Sequence, residues 1–366
     1  MNEKKITKIV LTGGPCAGKT TALSRIQNSF SKLGYYVIFV PEAATELITA
    51  GISPTTLKTN MIFQKFLMKL QLEHEKLYYE AAKYVEGFDK ILLVCDRGLM
   101  DSKAYMIEGD FYQALAHLYL HITEARDEYD AVFHLVTAAK GAEEFYTLSN
   151  NKARTESIDK ARYLDNKLIS TWTGHPHLRV IDNSTDFENK MKRLICEISS
   201  FLGEPQPYEI ERKFLISYPN ISILENNSNC RRIEIIQTYL KSDNEDEIRV
   251  RQRGENGHYI YYKTIKRKVT DTKRIELEER LSKDEYLTLL MDADTNKRQI
   301  RKTRYCLTFE NQYFEIDIYP FWNDKAIIEI ELSNENEKIV FPEWVEIIKE
   351  VTDDDNYKNA SLAKIN

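Results

Sequence analysis

The pattern of apolar and polar residues changes about halfway along the chain. Up to about residue 202, short continuous apolar runs alternate with long segments of helical periodicity. Continuous apolar strands separated by helices are typical of a parallel sheet that helices cover on both faces. The predicted strands are residues 6–12, 36–40, 90–95, 131–136 and 179–181, and the predicted helices are residues 19–32, 56–84, 111–129 and 187–201.

A short segment with one glycine and two prolines ends the last helical pattern. Its sequence, Gly203-Glu204-Pro205-Gln206-Pro207, cannot continue a helix. Beyond it, charged and apolar residues alternate with a period of two, which predicts antiparallel strands. These strands are residues 209–215, 246–253, 259–263, 274–281, 313–319 and 326–332. We therefore predict a first domain at residues 1–203, a linker at 204–207 and a second domain at 208–366.

Composition excludes several classes of protein. The formal net charge is -6, whereas non-specific nucleic-acid binders are usually basic, so we expect no nucleic-acid partner. The five cysteines include no C-x-x-C pair, which argues against a disulfide framework or a zinc site. The N-terminal residues lack an apolar run long enough for a signal peptide or a membrane span. These features predict a cytoplasmic protein without a transmembrane segment.

A phosphate-binding motif follows the first predicted strand. Gly13, Gly14, Pro15, Cys16, Ala17, Gly18, Lys19 and Thr20 fit G-x-x-x-x-G-K-[ST], and Thr21 comes next. The apolar strand before the motif and the amphipathic helix after it are the context that phosphate binding needs, and they disfavour a glycine-rich turn without a ligand. We expect Lys19 to reach the β- and γ-phosphates of a bound nucleotide and Thr20 to bind Mg²⁺.

Other charged residues of the first domain are candidates for catalysis. Asp96 and Arg97 follow the third strand, where they would order the water shell of Mg²⁺ and approach phosphates, or form an ion-paired turn. Glu42 follows the second strand as a base, a substrate contact or a helix-start carboxylate. Arg154 and Arg162 fall on nearly one helical face, as in a lid over transferred phosphate or on a solvated surface.

The sequence leaves the base of the nucleotide open. It contains no N-K-x-D triplet, the usual guanine-binding motif, so ATP and GTP are both candidate ligands. His175 and His177 have a proline between them and no nearby acids, which favours a structural turn over a metal site. Residues 12–21, 41–47, 95–105 and 154–183 resemble the nucleoside- and ribosylnicotinamide-kinase-like group of AAA P-loop proteins. The resemblance covers residues 5–202 and implies an α/β P-loop NTPase fold of the kinase type.

The strands of the second domain carry charges that are grouped by sign. An ordinary sheet with charged residues facing water explains each strand alone, but five or more such strands favour a closed barrel with the charges inside. Two like charges 4 Å apart repel by about 4 kcal/mol at an effective dielectric constant near 20, so such a barrel needs a polyanion and a divalent cation. The alternating charges are Glu209, Glu211 and Lys213; Arg249, Arg251 and Arg253; Glu276 and Glu278; Lys302 and Arg304; Glu315 and Asp317; and Glu329 and Glu331.

The same residues carry a second resemblance. Glu209-Ile210-Glu211-Arg212-Lys213 matches the E-x-E-x-K signature of the CYTH, or triphosphate tunnel, superfamily, and further matching blocks follow in order across residues 208–366. The resemblance implies an antiparallel β-barrel. It also implies that Mg²⁺ or Mn²⁺ binds Glu209, Glu211, Asp317, Glu329 and Glu331, and that Lys213, Arg249, Arg251, Lys263, Lys302 and Arg304 grip the phosphates. Bacterial members commonly carry Arg-Tyr where this chain has Tyr357-Lys358.

Two functions remain open at this point. The fusion of the two domains resembles the TRPL translocation defect family, which implies a nucleotide-dependent regulator with anionic phospholipid headgroups among its partners. An enzyme that acts on a nucleoside triphosphate and on an inorganic or organic triphosphate is the other hypothesis. The paired carboxylates favour the enzyme for the second domain, since such pairs hold the metal that activates water.

Overall fold

The computed structural model describes residues 4–146, 157–204, 210–242, 246–268, 274–332 and 337–364. The chain divides into two compact units, residues 1–196 and 197–366, which are described separately below. This division falls within the last helix of the first unit, Phe187–Leu202. Pro205 and Pro207 of the predicted linker lie outside the described residues, so the boundary at 204–207 stays a prediction.

The first unit contains a parallel sheet of five strands in the order β2-β3-β1-β4-β5. The central strand β1 pairs with β3 on one side and with β4 on the other, so the phosphate motif leaves the middle of the sheet. The interior of β1, β3 and β4 is fully buried, as continuous apolar runs require. The strands are β1 (Lys5–Gly13), β2 (Tyr36–Val40), β3 (Lys90–Asp96), β4 (Ala131–Leu135) and β5 (Leu178–Ile181).

The helices predicted for residues 19–32, 56–84 and 187–201 are confirmed within four residues at each end, and further helices form at Ala43–Thr49, Asp101–Ala104 and Ile158–Trp172. The single helix predicted for residues 111–129 is wrong, because the chain forms two helices that break near Tyr119. This residue has a φ of 58°, a left-handed conformation that a helix cannot contain. The helices are α1 (Lys19–Lys32), α2 (Ala43–Thr49), α3 (Asn60–Ala82), α4 (Asp101–Ala104), α5 (Glu108–His117), α6 (Ile122–Asp127), α7 (Ile158–Trp172) and α8 (Phe187–Leu202).

The second unit is built on an antiparallel sheet of nine strands in the order β10-β9-β8-β7-β11-β12-β13-β6-β14. Three of these strands, β7, β11 and β14, were not among the predicted segments. The strands are β6 (Ile210–Ser217), β7 (Cys230–Tyr239), β8 (Glu247–Glu255), β9 (His258–Lys268), β10 (Arg274–Leu281), β11 (Ile300–Phe309), β12 (Gln312–Ile318), β13 (Lys325–Leu332) and β14 (Ile347–Glu350). The helices are α9 (Ile221–Glu225), α10 (Lys283–Leu289) and α11 (Asn359–Leu362).

The two faces of this sheet differ in chemistry. On one face, Phe214, Phe314 and Ile328 belong to an apolar cluster against which Phe341 and Trp344 pack. On the same face Val250 packs against α10 through Tyr286. The alternating charged residues lie on the opposite face, because strand neighbours in the register have side chains on the same side. Helices and loops therefore cover the apolar face.

Candidate functional sites

The phosphate motif forms the loop that joins β1 to α1. Gly18 precedes the helix with a φ of 94°, and a Cβ at this position would lie 2.7 Å from the ring of Phe187. A Cβ on Gly13 would lie 2.3 Å from the carbonyl oxygen of Leu135. Real Cβ atoms do not approach so closely, so both positions require glycine. The loop thus has the strand–loop–helix geometry that directs backbone N–H groups toward an anion.

Four predicted side chains meet beside this loop. The Nζ atom of Lys19 lies 3.9 Å from Asp96 Oδ1, at the end of β3. Arg97 donates from Nε to Glu42 Oε1 at 2.6 Å, which joins the ends of β2 and β3. Arg97 has a φ of 75°, and Gln71 of α3 donates to its carbonyl oxygen at 2.8 Å. The structure therefore places Glu42, Asp96 and Arg97 in one cluster with Lys19.

The charges of this cluster influence one another. Burial alone would raise the pKa of Glu42, but the Arg97 and Lys19 cations lower it to about 2. Burial raises the pKa of Asp96 above its ordinary value, and Lys19 opposes that shift. Burial and the neighbouring Arg97 lower the pKa of Lys19. The site thus concentrates four charged side chains that are only partly exposed to water.

Two buried polar atoms of the cluster are candidate contacts for a ligand. Asp96 Oδ1 and Arg97 Nη1 are buried, and neither has a hydrogen-bond partner among the residues that the structure describes. Buried polar atoms are normally satisfied, so an unpaired acceptor and an unpaired donor beside a phosphate loop point to a bound molecule. A nucleotide phosphate would satisfy the guanidinium, and the water shell of Mg²⁺ would satisfy the carboxylate. Together with the Thr20 hydroxyl, these residues have the chemistry that a magnesium nucleotide requires.

Of the two lid candidates, the structure describes one. Arg154 is outside the described residues. Arg162 lies on α7, where Nε donates to the Ala139 carbonyl at 2.6 Å and Nη2 to Glu143 at 2.7 Å. Its guanidinium therefore binds the loop after β4 and not the cluster around Asp96.

The two histidines form a turn. His175 is buried, its Nε2 atom lies 2.9 Å from the Tyr129 carbonyl oxygen, and His177 donates its backbone N–H to His175 Nδ1 at 3.1 Å. Both ring nitrogens of His175 thus contact backbone groups, which agrees with the prediction of a structural turn and not of a metal site.

In the second unit, the predicted charges form a ladder of ion pairs across four strands. Arg304 of β11 donates to Asp317 of β12 at 2.7 Å from Nε and at 2.6 Å from Nη2. Its Nη2 atom also lies 3.1 Å from Glu329 of β13. Lys213 of β6 lies 2.8 Å from Glu329 and 3.1 Å from Glu211. Arg304 pairs with Glu315 as well, and Lys302 pairs with Asp317.

The ladder sets the protonation of its carboxylates. Burial alone would raise the pKa of Glu329, but Lys213, Lys302 and Arg304 hold it well below its ordinary range. Burial raises the pKa of Glu211 to about 7, and the negative charge of Glu329 adds to the rise. The cations of Lys213 and Lys266 oppose it, Lys213 more strongly. Solvent still reaches 30% of the Glu211 side chain, so the carboxylate faces an open space.

The influence of Lys266 on Glu211 shows that the sheet curls. Lys266 lies on β9 and Glu211 on β6, and β8, β7, β11, β12 and β13 separate these strands. At about 4.8 Å per strand, the two residues would be about 29 Å apart on a flat sheet, far beyond effective charge interaction in solution. The charged face is therefore the concave one, as the barrel hypothesis predicts.

The register corrects one predicted phosphate ligand. Lys263 is the register neighbour of Val250, whose side chain lies on the apolar face, so Lys263 lies on that face too. The charged face contains the neighbouring pairs Arg249–Thr264 and Arg251–Tyr262. Lys266 is on the charged face instead, and the sequence signal for it was the alternation of Tyr262, Thr264 and Lys266. Arg249 and Arg251 lie on the predicted face, and Arg251 pairs with Glu278 at 2.8 Å.

Only some of the carboxylates predicted to bind a metal ion are placed to do so. In the part of the chain that the structure describes, no three His, Cys, Asp or Glu side chains form a group that could hold a metal. Asp317 and Glu329 are paired with cations, and Glu209 lies outside the described residues. Glu211 and Glu331 are direct neighbours in the register of β6 and β13. This pair suits Mg²⁺, which is usually bound by one or two carboxylates together with substrate phosphate oxygens.

Fold and site define the class of protein: a P-loop domain followed by a domain with a charged tunnel. The chain belongs to the AAA domain family, whose model matches residues 8–190, and residues 207–360 match the CYTH domain. The predicted fusion is thus confirmed. Among the described residues, none of the helices has the length and apolar character to cross a membrane.

Several solved structures resemble part of the chain. The inorganic triphosphatase NE1496 is 27% identical, and the match covers 43% of this chain and 94% of that one with a TM-score of 0.30. Two Pyrococcus horikoshii OT3 proteins match 35% of this chain and 80% of theirs: PH1012 (22% identical, TM-score 0.26) and PH1819 (23% identical, TM-score 0.27). These TM-scores, all below 0.5, do not by themselves establish a shared fold. No curated protein matches the chain significantly.

Proposed function

We propose that the first unit binds ATP or GTP with Mg²⁺ and transfers or hydrolyses a phosphoryl group, and that the second unit binds and hydrolyses a triphosphate with Mg²⁺ or Mn²⁺. The observation that carries the proposal is the convergence of buried cations and carboxylates on the concave face of a curled sheet. Buried charge of this density is costly unless a ligand of opposite charge uses it. A triphosphate with a divalent cation would supply negative charge to the basic side chains and positive charge to the carboxylates.

In the first unit, each residue has a distinct role. The N–H groups of the loop and Lys19 hold the phosphates, and Arg97 approaches the transferred group through its unpaired Nη1 atom. Glu42 fixes the Arg97 side chain by their 2.6 Å hydrogen bond. The Thr20 hydroxyl and Asp96 would hold Mg²⁺ and its water shell, and the metal would neutralise charge that develops on the phosphates.

In the second unit, the basic side chains bind the phosphate oxygens. Lys213, Arg249, Arg251, Lys266, Lys302 and Arg304 share the concave face and would contact the ligand. Glu211 and Glu331 would hold the divalent cation, which supplies activated water for attack on a terminal phosphorus. A phosphate oxygen that binds Arg304 would compete with Asp317, Glu315 and Glu329, which already accept hydrogen bonds from its guanidinium.

A regulator without turnover is the alternative. The described residues hold no group of three His, Cys, Asp or Glu side chains that could bind a metal ion, and a tunnel without a bound metal would retain a phosphorylated ligand or an anionic phospholipid headgroup without hydrolysing it. The resemblance to the TRPL translocation defect family supports this alternative. In that case the first unit acts as a nucleotide-dependent switch.

A panel of nucleotides and polyphosphates, scored for binding and for phosphate release, tests the proposal. We expect tripolyphosphate to be hydrolysed with Mg²⁺ or Mn²⁺, and Glu211→Gln to abolish this hydrolysis. Lys19→Ala should remove nucleotide binding and leave tripolyphosphate hydrolysis intact. Glu350→Gln is the matched control, because Glu350 forms an ion pair with Arg212 on the partly exposed side of β6 and β14.

The outcomes separate the hypotheses. Binding of triphosphates without any phosphate release would favour the regulator for the second unit. Unchanged ATP and GTP affinity in Lys19→Ala protein would contradict the nucleotide site. Phospholipid vesicles that contain phosphatidic acid, compared with neutral vesicles, test the headgroup alternative.

A further inference from the structure

Two buried charged residues outside the phosphate motif hold the phosphate loop. Asp165 lies on α7 and is 0% exposed, and Lys190 lies on α8 and is 2% exposed. Neither residue was a candidate from the sequence. A buried charge is costly unless nearby groups compensate for it, so the contacts of these two side chains indicate what they do.

Asp165 binds the start of the loop. Its Oδ1 atom accepts hydrogen bonds from the backbone N–H of Gly14 at 3.1 Å and of Thr137 at 3.0 Å. His134 Nε2 lies 3.0 Å from the same oxygen and is the donor, because an ionised carboxylate only accepts. Lys140 donates to Oδ2 at 2.8 Å. One carboxylate thereby joins α7, the end of β4 and the phosphate loop.

Lys190 binds the other end of the loop. Its Nζ atom donates to the carbonyl oxygens of Val136 at 2.6 Å and of Ala17 at 3.3 Å. The third donor goes to Asn183 Oδ1 at 2.7 Å. All three N–H groups of the ammonium are therefore used, and one of them holds the residue that precedes Gly18.

A fixed loop is an advantage for binding phosphate. A flexible loop would lose conformational freedom when a ligand binds, and that loss of entropy weakens binding. Contacts that order the loop beforehand remove this cost from the binding step. Asp165 and Lys190 contact Gly14 and Ala17, on either side of the loop residues between them.

The negative charge of Asp165 is compensated locally. Burial alone would raise its pKa, but His134 and Lys140 lower the pKa to about 2, so the carboxylate is ionised near neutral pH. An uncompensated anion at this place would repel phosphate. The ammonium of Lys140, 2.8 Å away, offsets that repulsion.

We propose that Asp165 and Lys190 are positioning residues that hold the phosphate loop in its binding conformation before a nucleotide arrives. The proposal rests on the nucleotide function proposed above for the first unit. It predicts that these side chains set nucleotide affinity although neither belongs to the phosphate motif.

A double variant tests the role of Asp165 at constant charge. Asp165→Asn combined with Lys140→Met removes one anion and one cation, so a change in affinity reports geometry and not net charge. We expect the full-length protein to lose roughly tenfold to hundredfold in affinity for Mg²⁺-ATP or Mg²⁺-GTP, measured by calorimetry. Lys190→Met should cause a loss of similar size.

Asp127→Asn is the matched control. Asp127 is 1% exposed and pairs with Arg126 at 2.8 Å on α6, so its substitution also disturbs a buried ion pair. We expect it to lower the thermal stability and to leave the nucleotide affinity within about twofold. Equal losses of affinity in the control and the double variant would reduce Asp165 to a general structural role and overturn the proposal.

If the double variant does not fold, amide hydrogen exchange in the wild-type protein tests whether the loop is already ordered without nucleotide. Without nucleotide, the Gly14 amide should already be protected, whereas the Lys19 and Thr20 amides should gain protection when nucleotide is added. Rapid exchange at Gly14 without nucleotide would overturn the proposal. Equally weak nucleotide binding by wild-type and Lys19→Ala protein would overturn the nucleotide function itself, which is a distinct result.

Discussion

The phosphate loop of the first unit and the charged tunnel of the second differ in how they would bind the polyphosphates proposed as their ligands. The loop is made of backbone groups, and its shape depends on glycines that have no room for a Cβ. The tunnel is made of side chains from several strands, and its cations are already paired with carboxylates. The conformation of the loop thus depends on the absence of side chains at its glycines, and the stability of the tunnel depends on the pairing of its charges. Substitutions in the two units should therefore have different effects: loss of stability in the tunnel and loss of ligand affinity in the loop.

The largest expected effect is the loss of a central cation from the tunnel. Arg304→Met removes the partner of Asp317, Glu315 and Glu329, and Asp317 is 0% exposed. Breaking a buried ion pair by removing one partner costs about 3–5 kcal/mol, which we expect in denaturant unfolding of the full-length protein. Arg212→Met is the control, because its partly exposed pair with Glu350 should contribute about 0–1 kcal/mol. Equal stability of the two variants would show that the tunnel charges do not depend on one another.

A smaller effect is expected from crowding the loop. Gly13→Ala brings a Cβ within 2.3 Å of the Leu135 carbonyl oxygen, so β1 and β4 must separate at the nucleotide site. We expect a loss of ATP or GTP affinity of roughly a hundredfold, about 2.7 kcal/mol, with tripolyphosphate hydrolysis unchanged. Gly109→Ala has open space around its Cβ and should leave both activities intact. Normal nucleotide binding by Gly13→Ala protein would contradict the steric account of the loop.

The smallest effect separates the two lysines of β9. In a Lys19→Ala background, which removes the first site, Lys266→Ala should weaken tripolyphosphate binding roughly tenfold, because one charged hydrogen bond to phosphate is lost. Lys263→Ala should change the affinity less than about twofold, since Lys263 lies on the face with Val250. Calorimetry on both variants checks this assignment. A larger loss for Lys263→Ala would reverse the register-based correction.

Much of this architecture could be predicted from the sequence, because it depends on local patterns. The strand that precedes Gly13, the helix that begins at Lys19 and the alternating charges of β12 and β13 are all set by residues close together in the chain. The break near Tyr119 could not be predicted, because no glycine or proline marks it.

The missed site residues depend on contacts between distant parts of the chain. Asp165 is 151 residues from Gly14, and Lys190 is 173 residues from Ala17, so their roles have no local signal. The choice between Lys263 and Lys266 depended on how β9 pairs with β8. A pattern with a period of two identifies the faces of a strand, but only the neighbouring strand shows which face is charged.

The ion pairs of the tunnel also have a consequence for the order and strength of binding. Arg304 and Lys213 serve as the counterions of Glu329, which they would leave when phosphate oxygens arrive. The carboxylate that is released then becomes a ligand for a divalent cation. Triphosphate and cation should consequently strengthen each other's binding by an equal factor, as thermodynamic linkage requires. The second unit would then bind its polyanion and its metal ion together, with little affinity for either alone.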